Sequence, residues 1–91
     1  MHQKTITVIN KLGLHTRAAS KLVDCASRYL SDIKLTNLQN KRTANAKRII
    51  EVMTLGAKIG TELELTVNGE DETEAFEKVE QLILSRFGET E

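Results

Sequence analysis

Proline and tryptophan are missing from the 91 residues, and Cys25 is the only cysteine. A lone thiol closes no internal disulfide and builds no cysteine-based zinc site. His2 and His15 stand thirteen positions apart with no third histidine, which argues against a histidine metal cage. The longest apolar run is Leu82-Ile83-Leu84, three residues, far short of the roughly 20 that span a bilayer. Met1-His2-Gln3-Lys4-Thr5 has none of the apolar core of a secretory signal. Together these features predict a reducing, cytoplasmic setting with no membrane association. One tyrosine, two phenylalanines and a formal net charge of zero leave little with which to stack on or attract nucleic acid.

The charge is nevertheless uneven. Residues 1–58 carry 11 basic and 3 acidic side chains, whereas residues 59–91 carry 2 basic and 10 acidic. Two differently solvated faces would produce this, and so would a basic face made for an acidic partner. Hydrophobic residues make up 40% of the chain, enough for one small core, so one domain over 1–91 is expected.

Periodicity supplies the elements. Thr5-Ile6-Thr7-Val8 alternates as a strand, and Ala18, Ala19, Leu22, Val23 and Ala26 recur at helical spacing. Ile33 and Leu35 mark a second strand, and a short third is expected near Lys41-Arg42-Thr43. Asn45 suits the N-cap of a short helix carrying Ile49, Ile50, Val52 and Met53. Thr61 to Val67 alternates cleanly. Asp71, with Glu74 as a capping-box partner, would open a last helix with Ala75, Phe76, Val79, Leu82 and Ile83 on one stripe. The order β-α-β-β-α-β-α predicts an α+β fold: an open-faced, two-layer sandwich with helices on one face of a four-stranded sheet. Placing the fourth strand between the first and second makes every neighbouring pair antiparallel.

Gly13-Leu14-His15-Thr16-Arg17-Ala18-Ala19 joins a strand end to a helix start. Thr16 is a suitable N-cap, which puts His15 just before the helix. The first helical amides have no internal acceptor and carry the positive end of the dipole. That end disfavours imidazolium, so His15 is expected to stay neutral near neutral pH and to offer a nucleophilic nitrogen. Arg17 adds a fork of donors suited to phosphate oxygens, and Gly13 a permissive backbone. Nucleophile, anion cradle and cation within three residues describe a phosphohistidine site. An ordinary solvated loop can also hold a histidine with an arginine two residues on. The same folded module could instead serve as a regulatory binder without phosphotransfer.

Ile9 to Ala19, together with Lys47-Arg48-Ile49-Ile50-Glu51-Val52-Met53-Thr54-Leu55-Gly56-Ala57, resembles the two signature blocks of the HPr family. These are the histidine phosphocarriers of the bacterial phosphoenolpyruvate-dependent phosphotransferase system, and the resemblance runs over nearly the whole chain. It implies phosphorylation of His15 at Nδ1 and a phosphate held by Thr16, Arg17 and Ala18. Enzyme I would be the donor and an Enzyme IIA-type protein the acceptor, in sugar uptake or its regulation. The carrier would be a monomer without cofactor or metal and without catalytic turnover of its own. Ile49, Ile50 and Met53 would face partners, rimmed by Arg17, Lys21, Lys47 and Arg48. The nitrogen-branch member of the family, NPr, shares the core motif.

Three positions depart from the family pattern. Ala18 stands where proline is usual, and Thr16 where Ala or Ser is common. Arg48 occupies the place of a regulatory serine found in many members. No kinase-dependent phosphate is therefore expected on residues 47–53, and peptide mass spectrometry after incubation with such a kinase would detect one.

Overall fold

A computed structural model describes all 91 residues. Four strands, β1 (His2–Thr7), β2 (Asp32–Asn37), β3 (Thr43–Asn45) and β4 (Glu62–Asn68), alternate with three helices, α1 (Thr16–Ala26), α2 (Ile49–Met53) and α3 (Glu72–Leu84). A single 3-10 turn, Arg86–Gly88, follows α3. The strand order is β1-β4-β2-β3, antiparallel throughout, as the sequence pattern predicts. No helix is long and apolar enough to cross a membrane.

The alternation in β4 decides which face is buried. Leu63, Leu65 and Val67 point inward and pair with Ile6 on β1 and with Leu35 and Ile33 on β2. Lys4, opposite Leu65, lies on the same face at its rim and reaches Glu80 of α3 at 2.6 Å. The other face is threonine-rich, with Thr36 and Thr43 hydrogen-bonded across strands at 3.1 Å. Over the inner face lie Ala18, Ala19, Leu22 and Ala26 of α1, and Ala75, Val79 and Ile83 of α3. These belong to one cluster of 21 buried residues. Burying a leucine such as Leu22 or Leu65 contributes about 1.5–3 kcal/mol.

Several predicted boundaries shift. β1 runs His2–Thr7 rather than Thr5–Val8, although Val8 stays buried and its amide bonds to the Thr61 carbonyl at 2.9 Å. β3 lies at Thr43–Asn45, two residues later than expected. Asn45 does not cap α2. Its side chain accepts from the Lys47 amide at 2.9 Å in a local turn, and Arg48 occupies the N-cap position. Asp71 does precede α3, but it makes no side-chain capping bond and Glu74 completes no capping box.

The Asp71 carboxylate instead crosses to the α1–β2 connection. It accepts from the amides of Leu30 and Ser31, each at 2.9 Å, and from the Ser31 hydroxyl. A short polar side chain offered both its own helix end and a distant pair of amides satisfies the pair. The Ser31 hydroxyl first, then the Leu30 amide, hold its carboxyl below the usual value of 3.8. A carboxyl lowered on folding stabilises above its unfolded value, and that contribution fades as pH falls through the folded one. Asp71→Asn should therefore lower Tm at neutral pH, and the gap to wild type should narrow as pH drops below about 3.8 in thermal melts.

Candidate functional site

The chain leaves β1 and turns through Gly13, whose φ of +65° favours a residue without a side chain. A Cβ there would stand 2.5 Å from the Ala57 carbonyl oxygen and 2.8 Å from Lys58 Cα. The Leu14 amide donates to that same Ala57 carbonyl at 2.8 Å. Asn10, fully buried, donates from Nδ2 to the Gly13 carbonyl at 2.8 Å. The loop is thus fixed from both sides before it delivers the next residue.

That residue, His15, is the N-cap of α1, with extended φ −78° and ψ 178°. Its carbonyl accepts from the Ala19 amide at 2.8 Å and closes the first helical turn. The sequence assigned capping to Thr16, and the structure corrects this. Thr16 is the first helical residue, it is exposed, and no side chain caps this end. The amides of Thr16, Arg17 and Ala18 consequently have no partner within the helix. Eleven residues of aligned peptide dipoles add positive potential at that end. Ala18 and Ala19 are buried and anchor this turn to the core, whereas Arg17 is exposed beside it. Lys11, Arg17 and Lys21 line one open depression together with the acidic Glu89 and Glu91 of the C-terminal tail.

Unforeseen by the sequence reading is the chain's far end. After α3, Arg86 and Phe87 take left-handed backbone angles, φ 59° and 55°, and Gly88 follows at 78°. Two such non-glycine residues cost about 1–2 kcal/mol each. Phe87, 1% exposed, offsets this by plugging the core, and Lys21 Nζ donates to its carbonyl at 2.7 Å. The turn carries Glu89 to His15, with Oε2 at 2.5 Å from Nε2, while Asn10 Nδ2 donates to Oε1 at 3.1 Å. Hydrogen bonds from His15 and then Asn10 hold the Glu89 carboxyl below its ordinary 4.5. The ring thus lies between the open helix end and this carboxylate. The only hint in the sequence was an aromatic residue followed by glycine beyond the last helical stripe.

Among the residues assigned to docking, Ile50 is 76% exposed, with Met53 and Ile49 less so, and only Val52 of α2 is buried. Arg48 is exposed and lies 3.7 Å from Glu51. Lys47 and Lys21 are partly committed elsewhere, Lys47 Nζ donating to the Tyr29 carbonyl at 2.7 Å and Lys21 to the Phe87 carbonyl.

A family model described as "PTS HPr component phosphorylation site" matches residues 2–85. The chain belongs to the HPr family. It is a phosphocarrier of the phosphotransferase system, and neither the nitrogen-branch nor the non-transferring alternative is favoured. Phosphocarrier protein HPr of Cupriavidus necator is 45% identical over 91 residues, covering the whole of both chains. The crystal structure of HPr-C-His from Thermoanaerobacter tengcongensis superposes with TM-score 0.93 at 38% identity over the full length of both. A second structure from that organism, described as an HPr dimer, gives TM-score 0.76 at 39% identity, covering 98% of this chain and 100% of that one.

Gly13→Ala would force both the close approach to Ala57 and the left-handed angle. It should cost about 1–3 kcal/mol in urea unfolding and displace the His15 loop, visible as shifted backbone amide resonances of residues 13–19.

Proposed function

We propose that His15 accepts the phosphoryl group at Nδ1, and that the amides of Thr16, Arg17 and Ala18 with the Arg17 guanidinium hold it. The observation that carries this reading is the placement of one imidazole as N-cap of a helix whose first amides are open. A phosphoryl group on the ring would arrive beside three donors and a cation, with no metal required. Transfer between histidines proceeds in line through a loose transition state. Positioning and charge neutralisation are then the carrier's whole contribution. The chain passes the group on and has no turnover of its own.

The donor in this reading is Enzyme I charged from phosphoenolpyruvate, and the acceptor an Enzyme IIA-type protein serving sugar uptake, all in the cytoplasm. Residues 1–91 act as one domain and as a monomer. Partners dock on Ile49, Ile50 and Met53, with Lys21, Lys47 and Arg48 at the rim. A small apolar centre with a charged border suits a shuttle that must bind, transfer and leave.

Incubation with phosphoenolpyruvate and Enzyme I should add one acid-labile phosphate by intact mass, and His15→Ala should abolish it. An undiminished gain in that variant would overturn the assignment. Ile50→Glu should slow uptake roughly tenfold with an unchanged melting curve, since its side chain is mostly outside the core.

A further inference from the structure

α1 and α3 pack side by side and leave an open groove of about 560 Å³ between them. Its size lies within the roughly 300–1,000 Å³ of small-molecule sites. The charge in it is one-sided. Lys21 of α1, Arg28 just past the end of that helix and Lys78 of α3 all line it. The one carboxylate there, Asp24, is held by Arg28 at 3.2 Å. Three cations against one carboxylate leave two positive charges. Lys21 gives one of its three ammonium hydrogens to the Phe87 carbonyl and keeps two.

Lys78 is the least expected of the three. Residues 59–91 hold 2 basic and 10 acidic side chains, yet α3 turns its one lysine, and none of its glutamates, onto this groove. Glu74 stands four residues earlier, at a spacing that suits an ion pair, but Lys78 makes none. Between the cations lie Tyr29, Cys25 and Leu82, each partly buried and packed against the core. Burial pushes the Cys25 thiol above its ordinary 9.0 and the Tyr29 phenol above 10.0, so both are neutral at neutral pH. Arg28 and Lys78 each pull the thiol back down, which places both cations close to it.

We propose that the α1–α3 groove binds a small phosphate monoester carried on a flat ring. Lys21, Arg28 and Lys78 meet the phosphate, and Tyr29, Cys25 and Leu82 take the ring. A phosphate monoester carries about −1.5 to −2 charges at neutral pH and matches the two that the groove leaves unbalanced, whereas a carboxylate would match one. Arginine supplies a planar fork to its oxygens and the lysines supply point charges. The uncharged floor removes the ring from water and contributes apolar burial that a bare ion cannot obtain. The site stands whether or not His15 is the phosphoryl acceptor, because only Lys21 is shared with the depression that Arg17 lines.

The test titrates the full chain, labelled with nitrogen-15, with phenyl phosphate and separately with inorganic phosphate at equal ionic strength. Phenyl phosphate should shift the amides of residues 21–29 and 78–85 saturably, with a dissociation constant on the order of 1 mM. Inorganic phosphate, which has the charge and no ring, should bind there roughly fivefold more weakly. Lys78→Gln should weaken phenyl phosphate roughly threefold, and Arg28→Gln combined with it roughly tenfold. Both side chains are exposed, so these variants fold as the wild type does. Cys25, the only thiol, gives a second readout: saturating phenyl phosphate should slow its alkylation by iodoacetamide roughly threefold. Shifts confined to residues 15–18 would put the anion at the start of α1 and overturn the proposal. So would shifts that do not saturate by about 20 mM, equal affinity for inorganic phosphate, affinity unaltered in the double variant, or an unchanged alkylation rate.

Discussion

A helix that begins without a capping side chain leaves its first amides turned outward, and the surface around His15 is organised by that fact. Had Thr16 capped α1, its hydroxyl would have taken one of those donors. Instead, the carbonyl of His15 closes the first turn and the side chains of residues 15–17 stay clear of the amides. The helix can start this way because its next two residues, Ala18 and Ala19, are sealed into the core. Burial of two small side chains anchors the first turn, and an anion rather than a cap can then complete it. The family's usual proline in place of Ala18 would restrict the same turn through its fixed φ. Here packing alone does so.

Much of this was legible beforehand because it depends on local repetition. Leu63, Leu65 and Val67 alternate without interruption, so β4 and its inward face follow directly, and with them the sheet order. Ala18, Ala19, Leu22 and Ala26 set the buried side of α1 just as plainly, and this orients His15 and Arg17. The two family blocks gave the family and its phosphocarrier role. Helix starts were less legible, all for one reason. Thr16, Asn45 and Asp71 are each good capping residues, yet each helix end goes without that side-chain bond. Their oxygens either face solvent or find other amides, as Asp71 does across 40 positions of sequence. Preference scales describe a helix end in isolation, and tertiary competitors decide which donor a short polar side chain meets.

The C-terminal turn was illegible for a different reason. Arg86 and Phe87 adopt left-handed angles that neither residue favours, and what holds them is the fit of one aromatic ring into a core assembled from every other element. No window of sequence around Phe87 contains that information. The uneven charge of the two halves is also resolved in part by the fold. The acidic second half lends Glu80 to Lys4 and Glu89 to His15, so some of the imbalance is spent on contacts between halves rather than on separate faces.

The close seating of Gly13 against Ala57 and Lys58 has one more consequence. The Leu14 amide bonds to the Ala57 carbonyl, and no side chain intervenes between the two backbones. Ala57 comes four residues after the end of the helix that displays Ile50 and Met53. The His15 ring and the exposed face of Ile50 and Met53 therefore share one frame, joined by this backbone contact and by the packing of α1 against α2. On the reading proposed above, a partner seated on that face would find the ring at a fixed offset, with no hinge needed to bring a phosphoryl group into line.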